Sequence, residues 1–434
     1  MATYYIDPIG GNCRFDGLSP EKPLKTNKKL NLNPGDKVLF KRGSFIRGGI
    51  NATFGEEGNP IYYGAYGEGP LPVFCGSSEL CDKDLWVEES KNIWVYSNTP
   101  KDEPCNIVFD GGKSFGTLRW SMEELTEQGD YFSNQFGVSV QGLADGTKVK
   151  GQKLYLYSTK NPAEIYSSIE CVFFGEKSAA SNGHDMIFEN LRIINFNYGI
   201  ASDKPSRNLI VRNCVFENIG GSVWSFPQKI RCGNVIELWN VAENIEVTGC
   251  YIDNVYDSAV THQGGIDCKP AKNMIFNNNV FLRCGMGALE QRDLVPIYAE
   301  FNENICAYAG EGFSKLGEEM PRFSEIWPEP MGHHAFMWRM EKATEGGCQQ
   351  IKNNIFADAP YGAAIFSVCA PEADAQFEIE GNTYGGKFEL LNQINGVKYK
   401  TFDEYKGVEK GATFRDIDVE KEIDDWKKKN NMEF

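Results

Sequence analysis

The sequence predicts an all-β fold: a right-handed, single-stranded parallel β-helix of three short parallel sheets, with a long inserted loop and a short C-terminal helix. Three observations predict it. A segment of two short runs with alternating hydrophobicity, meeting at Asn or Gly, recurs from the middle of the 434-residue chain onward. Its spacing is close to one coil of such a helix. The 45 glycines, together with 28 Phe and 19 Tyr, favour short strands separated by turns.

The recurring segment can be lined up from residue 186 to residue 387. The copies read MIFENLRIINF (186–196), LIVRNCVFENI (209–219), IEVTGCYIDNV (245–255), MIFNNNVFLRC (274–284), IYAEFNENICAYA (297–309), QQIKNNIFADA (349–359) and FEIEGNTYGGK (377–387). The hinge residues, where the two runs meet, are Asn190, Asn213, Gly249, Asn278, Glu303, Asn353 and Gly381. Successive hinge residues are 23, 36, 29, 25, 50 and 28 positions apart. One coil takes about 23 to 25 residues, so the step of 36 indicates an extra loop, and the step of 50 indicates two coils or a large insertion.

The position after each hinge residue is expected to face the interior. Asn279, Asn304 and Asn354 share this position with Cys214 and Cys250. Stacked Asn side chains can hydrogen-bond from one coil to the next, while Ile, Val, Phe and Cys fill the narrow lumen. These two cysteines are therefore interpreted as core residues.

The regions outside the recurring segment are less regular. Residues 36–45 alternate apolar and polar side chains and predict the first coil. Residues 51–180 predict further strands and one short helix within Ser121–Gln128, with a loop at 144–151.

The C-terminal region has a different composition. It becomes charged after about residue 400, and Val419–Asn430 has the pattern of an amphipathic helix that caps or trails the coils. No linker separates independent domains. We therefore expect one β-helix domain over residues 1–400 and a charged, helical tail over residues 401–434.

The charge balance excludes some classes of partner. The chain carries 44 Lys+Arg against 60 Asp+Glu, a net charge of -16, which argues against nucleic-acid binding. No apolar stretch is long enough to span a membrane, and the first residues lack a secretory-signal pattern, so we expect a cytoplasmic protein. Thirteen cysteines without a C-x-x-C pair also fit a reducing compartment. The open ends of a β-helix favour association between copies of the chain, so a homo-oligomer is one expected assembly.

Several segments resemble a known superfamily. YYIDPIGGN (4–12), DGLSPEKPLKT (16–26) and GDKVLFKRGSFIRGGI (35–50) are similar to the start of pectate-lyase-like β-helix proteins. GNVIELWNVAENIEV (233–247), YDSAVTHQGG (256–265), GALEQRD (287–293) and WPEPMGHHAFMW (327–338) resemble bacterial right-handed β-helix proteins classed with glycoside hydrolases and polysaccharide lyases. The resemblance implies a β-helix carbohydrate-active protein of glycoside-hydrolase-like character. It does not imply a substrate, because this superfamily includes hydrolases, lyases, epimerases and binding proteins.

Polar residues are concentrated in the return segments of four successive coils. These segments are Val235–Trp239, Asp257–Gln263, Ala288–Asp293 and His333–Glu341. The equivalent segments on either side, Gly199–Ala201 and Gly362–Phe366, are apolar. A polar window between apolar coils predicts a local functional site.

Glu237, Asp257 and Glu290 are the candidate catalytic residues in this window. Glycoside hydrolysis needs one protonated and one ionised carboxyl group. Glu237 and Glu290 lie two coils apart, so about 9 to 10 Å should separate their backbones, a span that fits either retention or inversion. Asp257 opens the strand between them and can raise the pKa of a neighbouring glutamate; Asp267 is a weaker substitute. The alignment pairs Glu290 with Ile365.

Seven further residues are candidates for substrate binding. Trp239 and Trp338 offer aromatic faces for stacking against a sugar ring. Hydrogen bonds to the substrate are predicted from His262, Gln263, Arg292, His334 and Arg339. No metal site is predicted, because the sequence lacks an H-x-x-x-H or H-E-x-x-H pattern and adjacent histidines on an extended chain face opposite ways.

Two insertions flank the polar window. Gly310–Gly332 and Ser225–Cys232 lie beside it along the chain and are expected to form a lid or wall. Such a wall would make a closed pocket, which favours short substrates cut from an end.

The leading hypothesis is a glycoside hydrolase that acts on a neutral or weakly charged oligosaccharide without a cofactor. A lyase or epimerase acting on a uronate is the first alternative, with His262 beside Arg292 or Arg339 and with calcium bridging the acidic protein to its substrate. A non-catalytic carbohydrate-binding β-helix is the second alternative.

Overall fold

The computed structural model describes residues 1–99, 102–134, 136, 153–174, 178–181, 183–201, 205–264, 269–317, 322 and 331–434. The chain winds through three long sheets and adds one strand to each sheet per coil. Neighbouring strands of these sheets run parallel except for the last pair of the third sheet. The predicted parallel β-helix is therefore confirmed.

The strands of the three sheets follow the same order along the chain. The first sheet contains Thr3–Ile6, Lys37–Lys41, Ile61–Tyr66, His184–Glu189, Ser206–Arg212, Ala242–Thr248, Lys272–Asn277, Ile297–Asn302, Gln349–Lys352 and Phe377–Glu380. The second contains Phe45–Arg47, Val73–Cys75, Arg192–Ile194, Val215–Ile219, Tyr251–Val255, Val280–Cys284, Ile305–Ala307, Ile355–Ala359, Thr383–Phe388 and Thr413–Phe414. The third contains Ser178–Ala180, Tyr198–Ala201, Ile236–Trp239, Ser258–Gln263, Gly287–Arg292, His333–Trp338, Ile365–Val368, Asn392–Ile394 and Val397–Tyr399.

Each hinge residue joins a strand of the first sheet to a strand of the second. All seven have positive φ, from 52° at Asn213 to 72° at Gly381. Asn and Gly adopt this left-handed conformation at the least cost, which explains why they recur at the hinge.

The residue after each hinge residue is buried and faces the interior, as expected. Cys214 and Cys250 are fully buried, and Asn279, Asn304, Asn354 and Asn382 form a hydrogen-bonded ladder. The ladder ends on the carboxylate of Glu409, which accepts from the side chain of Asn382.

The start of the β-helix differs from the prediction. Lys37–Lys41 and Phe45–Arg47 are strands within the predicted first coil, but Thr3–Ile6 already pairs in parallel with Lys37–Lys41. The side chain of Asp36 accepts a hydrogen bond from the backbone of Ala2 at 2.6 Å. This long-range contact docks the N-terminal residues, so the first coil begins before residue 36.

The region between Cys75 and Ser178 forms a unit with its own core, here called the inserted unit. Its four-stranded sheet contains Ser77–Glu79, Pro104–Phe109, Ser114–Phe115 and Ile169–Phe173. Its five-stranded sheet contains Trp86–Ser90, Ile93–Tyr96, Thr117–Leu118, Asp130–Ser133 and Leu154–Tyr157. Short helices lie at Lys83–Leu85, Met122–Glu124 and Pro162–Ile165. The predicted helix within Ser121–Gln128 is thus only the 3-10 turn Met122–Glu124, and the predicted loop at 144–151 lies outside the described residues.

Three interruptions leave the β-helix at the same junction, between a strand of the second sheet and the next strand of the third. They are the inserted unit, the hairpin of Ser222–Ser225 and Ile230–Cys232, and the segment 308–332, of which the structure describes 308–317, 322 and 331–332, including the 3-10 helix Gly312–Lys315. Ring contacts join them: Phe115 stacks on Phe313 at 5.6 Å, and Trp120 packs on Phe226 at 5.8 Å. Together they form a wall beside the third sheet.

The C-terminal helix Val419–Asn430 has the predicted bounds. It lies along the outside of the second sheet, where the Trp426 indole donates to the carbonyl oxygen of Asn278 at 3.0 Å. Its apolar stripe is thus buried against strand side chains rather than over the end of the coils. The other helices are the single turns Pro371–Asp374 and Phe402–Tyr405. Among the described helices, none has the length and apolar character needed to cross a bilayer.

Candidate functional site

A pocket of about 260 Å³ opens on the outer face of the third sheet, beneath the wall. Its sheet side comes from the polar window, including Glu237 and Glu290. Its wall side includes Ile230 of the hairpin and Met331 of the segment 308–332. Both predicted insertions therefore contribute to the pocket.

Strand register places the glutamates on the pocket side. Glu237 pairs with Thr261, and Thr261 pairs with Glu290. The flanking residues Ile236 and Leu289 are fully buried in the main core. Because side chains alternate between the two faces of a strand, Glu237 and Glu290 both point outward.

The register predicted for Glu290 was wrong by one residue. Glu290 pairs with Phe336, and Phe336 pairs with Phe366, so Ile365 is not in this row. Ile365 belongs to the interior row with Leu289 and Ala335. A shift of one residue exchanges the faces of a strand, and the corrected register turns Glu290 toward the pocket.

Glu237 lies in an environment that favours its protonated form. Its side chain is 9% exposed, and the Trp239 indole donates to its Oε1 at 2.7 Å. Burial raises the pKa of Glu237 to about 7, and the negative charges of Asp257 and Glu290 act in the same direction. Near neutral pH this carboxyl group can therefore give up a proton.

Glu290 lies in a different environment, although it is only 2% exposed. Trp338 donates to its Oε1 at 2.9 Å, and Thr261 donates to its Oε2 at 2.7 Å. Longer contacts to Oε2 come from Ser258 at 3.3 Å and Gln263 at 3.4 Å. Four donors directed at one carboxyl group satisfy both of its oxygens and fix its orientation.

Asp257 occupies the end of the pocket next to the wall and is buried. Arg322, from the segment 308–332, reaches it with Nε at 2.7 Å from Oδ1 and Nη2 at 3.2 Å from Oδ2. Burial raises the pKa of Asp257, while the guanidinium favours the charged form. Asp257 is thus an ion-pair partner whose charge also raises the pKa of Glu237.

A second outward row lies beside the glutamates. It consists of Trp239, Gln263, Arg292 and Trp338, all of which line the pocket. The Arg292 guanidinium lies 5.3 Å from the Trp239 ring centroid and 5.4 Å from that of Trp338. The two indoles therefore hold Arg292 between them, while their N–H groups hold the two glutamates.

Two predicted binding residues do not reach the pocket. His262 is buried on the interior row, where its Nδ1 faces the Gln291 amide at 2.9 Å. His334 is buried against Phe356, with ring centroids 5.5 Å apart. Burial lowers the pKa of His262 to about 4 and that of His334 to about 3. The predicted substrate contacts of these histidines are wrong. The alternation of side chains along the strand and the turn between two sheets direct both rings into the core.

Arg339 lies just outside the pocket lining. Its side chain is exposed, with its guanidinium 5.6 Å from the Trp338 ring centroid and its Nε 3.3 Å from Asp293. It can therefore influence the pocket only from the rim.

Sequence reasoning missed several residues of the pocket. Arg322 lies within the predicted insertion Gly310–Gly332, and Trp224 immediately precedes the predicted insertion Ser225–Cys232; no contact of either residue was predicted. Tyr198 and Cys232, whose Oη and Sγ lie 3.1 Å apart, also line it. The only signal for Tyr198 was its place on the neighbouring third-sheet strand, which the sequence analysis treated as apolar.

The carboxylates of the pocket are matched by protein donors. Glu237 accepts from Trp239, Asp257 pairs with Arg322, and Glu290 accepts from four side chains. In the described part of the chain, no group of three or more His, Cys, Asp or Glu side chains is arranged to hold a metal ion. The arrangement offers proton transfer between carboxyl groups and a ligand.

Comparisons with known proteins support the fold. No protein-family model matches the chain, and no curated protein matches it. The structure of XylC in complex with xylose is similar at a TM-score of 0.54 and 12% identity, covering 95% of this chain and 68% of that one. A GH136 lacto-N-biosidase from Eubacterium ramulus has a TM-score of 0.45 and 15% identity, covering 90% of this chain and 61% of the lacto-N-biosidase. A structure described as a glycoside hydrolase has a TM-score of 0.42 and 9% identity, covering 95% of this chain and 96% of that chain.

This chain thus spans about three fifths of the lacto-N-biosidase and about two thirds of XylC. The similarity to XylC shows a shared β-helix fold.

Proposed function

We propose that the protein is a glycoside hydrolase that removes a terminal sugar from a neutral or weakly charged oligosaccharide. One observation carries the proposal: two outward glutamates lie two strands apart in one pocket, where burial raises the pKa of Glu237 and four side-chain donors surround the carboxyl group of Glu290. Two carboxyl groups with separated roles are the requirement of glycoside hydrolysis.

Glu237 acts as the general acid in this proposal. With its pKa raised to about 7, it holds a proton that it can deliver to the glycosidic oxygen as the bond to the leaving sugar breaks. The Trp239 N–H at 2.7 Å fixes the orientation of the carboxyl group.

Glu290 acts as the ionised partner. Its backbone lies two strand spacings from that of Glu237, about 9 to 10 Å. Side chains that project from one sheet face run roughly parallel, so their carboxyl groups keep a separation of that order. Inverting enzymes separate the two groups by about 6.5 to 9.5 Å, which leaves room for a water molecule. The spacing therefore supports inversion, with Glu290 as the base that activates water.

The shape and charge of the pocket support a short, uncharged substrate. The wall closes one side of the sheet, and the volume of about 260 Å³ suits one or two sugar rings. With Glu237 protonated, two carboxylates face two guanidinium groups in the lining, so the pocket offers no excess of positive charge, and the net charge of -16 of the chain disfavours a polyanionic substrate. The lyase alternative used His262 as its base, and that ring is buried in the core.

The test is turnover of an oligosaccharide by Glu237→Gln and Glu290→Gln, after a 4-nitrophenyl glycoside panel has identified the sugar. The panel includes xylosides, because XylC was solved with xylose. We expect each variant to lose at least about a hundredfold in release of reducing ends. On the nitrophenyl glycoside, Glu237→Gln should lose much less than Glu290→Gln, because nitrophenolate leaves without protonation.

Glu380→Gln is the matched control, since Glu380 is an exposed strand glutamate that pairs with Lys410 at 2.6 Å. Full turnover in both pocket variants would remove the glutamates from the mechanism. A product with a new C=C bond that absorbs in the ultraviolet, formed without consuming water, would identify a lyase instead.

A further inference from the structure

Trp224 lines the pocket, and its side chain takes no part in the hydrophobic cores. It is 41% exposed, whereas the other three residues of its strand, Ser222–Ser225, are buried. Its ring makes no aromatic or cation–π contact with another described residue, and its indole N–H has no hydrogen-bond partner among them. An exposed tryptophan beside a cavity leaves a large apolar face available to a ligand.

The hairpin that carries Trp224 is held firmly in the wall. Val223, the preceding residue, is fully buried in the core of the inserted unit, and Phe226 packs on Trp120. Arg231 donates to the carbonyl oxygens of Gly221 at 2.9 Å and Cys105 at 3.0 Å. Trp224 lies at a β-bulge of the hairpin, between Val223 and Ser225, which are both buried, and its side chain lines the pocket instead.

The neighbouring chemistry is that of a sugar subsite. Gln228, at the exposed tip of the same hairpin, also lines the pocket and has no side-chain hydrogen bond within the described residues. An aromatic face next to a free amide can stack on a sugar ring and bond its hydroxyl groups. The hairpin belongs to the same coil as Glu237, the proposed acid, which stands beside the leaving group.

We propose that Trp224 and Gln228 form a subsite for the sugar on the leaving-group side, so that the substrate has at least two sugar residues. This assignment rests on the proposed hydrolase function. The bond cut lies between the sugar held against Glu237 and Glu290 and the sugar stacked on Trp224. Arg292, Trp239 and Trp338 then serve the terminal sugar.

The kinetic test uses two substrates that contain the sugar identified by the glycoside panel. One is its disaccharide, and the other is its glycosyl fluoride, which has no second ring. Trp224→Ala should lower kcat/KM for the disaccharide about fivefold to tenfold, mainly through KM, because one ring contact is removed. The glycosyl fluoride should be hydrolysed at the wild-type rate. Trp224→Phe should restore most of the loss, and Phe45→Ala, at a 49% exposed site on the second sheet, should change neither substrate.

A binding test separates this proposal from the hydrolase proposal. The Glu290→Gln variant and the double variant Glu290→Gln with Trp224→Ala are each tested for binding to a glycan array. The array holds mono- to tetrasaccharides and includes xylose and xylobiose. Selective loss of di- and longer saccharides on removal of Trp224 supports the subsite, even when the glutamate variants show that no hydrolysis occurs. Equal effects on one-ring and two-ring ligands, or no saccharide bound by either protein, would overturn it.

Discussion

At the residue scale, the pocket depends on what surrounds two glutamates of the same sheet face. Glu237 has two side-chain donors, Trp239 and Asn234, and two acidic neighbours, whereas Glu290 has four donors. Each glutamate receives an indole N–H, from Trp239 and Trp338 respectively. The aromatic residues thus set the geometry of the carboxyl groups as well as the apolar surface of the pocket. Their role as sugar platforms remains a proposal.

A raised pKa at Glu237 makes stability depend on pH. Its folded pKa of about 7 exceeds the ordinary 4.5, so the folded state holds the proton more tightly and stability is lost as pH rises from about 4.5 through 7. Glu237→Gln stays neutral, so its free energy of unfolding relative to wild type should increase by roughly 3 kcal/mol between pH 4.5 and pH 8. Urea unfolding at the two pH values measures this difference. A variant whose relative stability is the same at both values would show that Glu237 titrates normally.

At the scale of elements, two features organise each coil: the turn at the hinge residue and the hydrogen-bonded ladder of interior asparagines. The hinge residues take positive φ, and the residue after each one enters the core. The ladder satisfies backbone groups that the corner would leave unpaired: the Asn304 amide donates to the carbonyl of Phe276 at 2.9 Å, and its Oδ1 accepts from the backbone of Asn279 at 2.9 Å. Buried polar groups with such partners specify the stacking of successive coils.

Removing one step of the ladder should be costly. Asn304→Ala leaves the carbonyl of Phe276 and the backbone N–H of Asn279 buried without their partner, so we expect a loss of roughly 2 to 4 kcal/mol in the free energy of unfolding. Chemical denaturation measures it. The control is Asn244→Gly, which removes two exposed inter-coil bonds, to Asn208 and from Asn273, at a residue with φ of 56°. If the two variants lose the same stability, the buried ladder has no special role.

At the scale of the whole molecule, one side of the β-helix carries both the interruptions and the pocket. All three interruptions leave at the junction of the second and third sheets, so their residues collect over the third sheet alone. The outside of the second sheet is covered by Val419–Asn430 instead. A solenoid tolerates insertions at its corners because each coil contacts mainly its neighbours. The pocket therefore forms without disturbing the core.

Two buried histidines make the stability of the protein depend on pH in the acidic range. His262 and His334 are buried with folded pKa values of about 4 and 3, below the ordinary 6.5. The unfolded chain binds more protons in that window, so stability falls as pH drops from about 6.5 toward 4, by roughly 1.4 kcal/mol per pH unit for each histidine. The double variant His262→Gln with His334→Gln should show a shallower loss over this range in thermal or urea unfolding. An unchanged pH dependence would contradict the burial of neutral imidazoles.

The β-helix, the bounds of Val419–Asn430 and the window containing Glu237 and Glu290 could be predicted from the sequence. These features depend on local preferences: Asn and Gly at positive φ, the helical period of apolar residues, and acidic residues placed in successive coils. Such preferences can be recognised in a single sequence because each acts over a few residues.

The tertiary structure decided which side of each strand a residue occupies and what the insertions cover. A shift of one residue in register exchanged the faces assigned to Glu290, and strand parity moved His262 into the core. The ion pair of Arg322 with Asp257 and the exposure of Trp224 depend on segments far apart along the chain. These outcomes arise from packing between distant residues, for which spacing along the sequence carries no information.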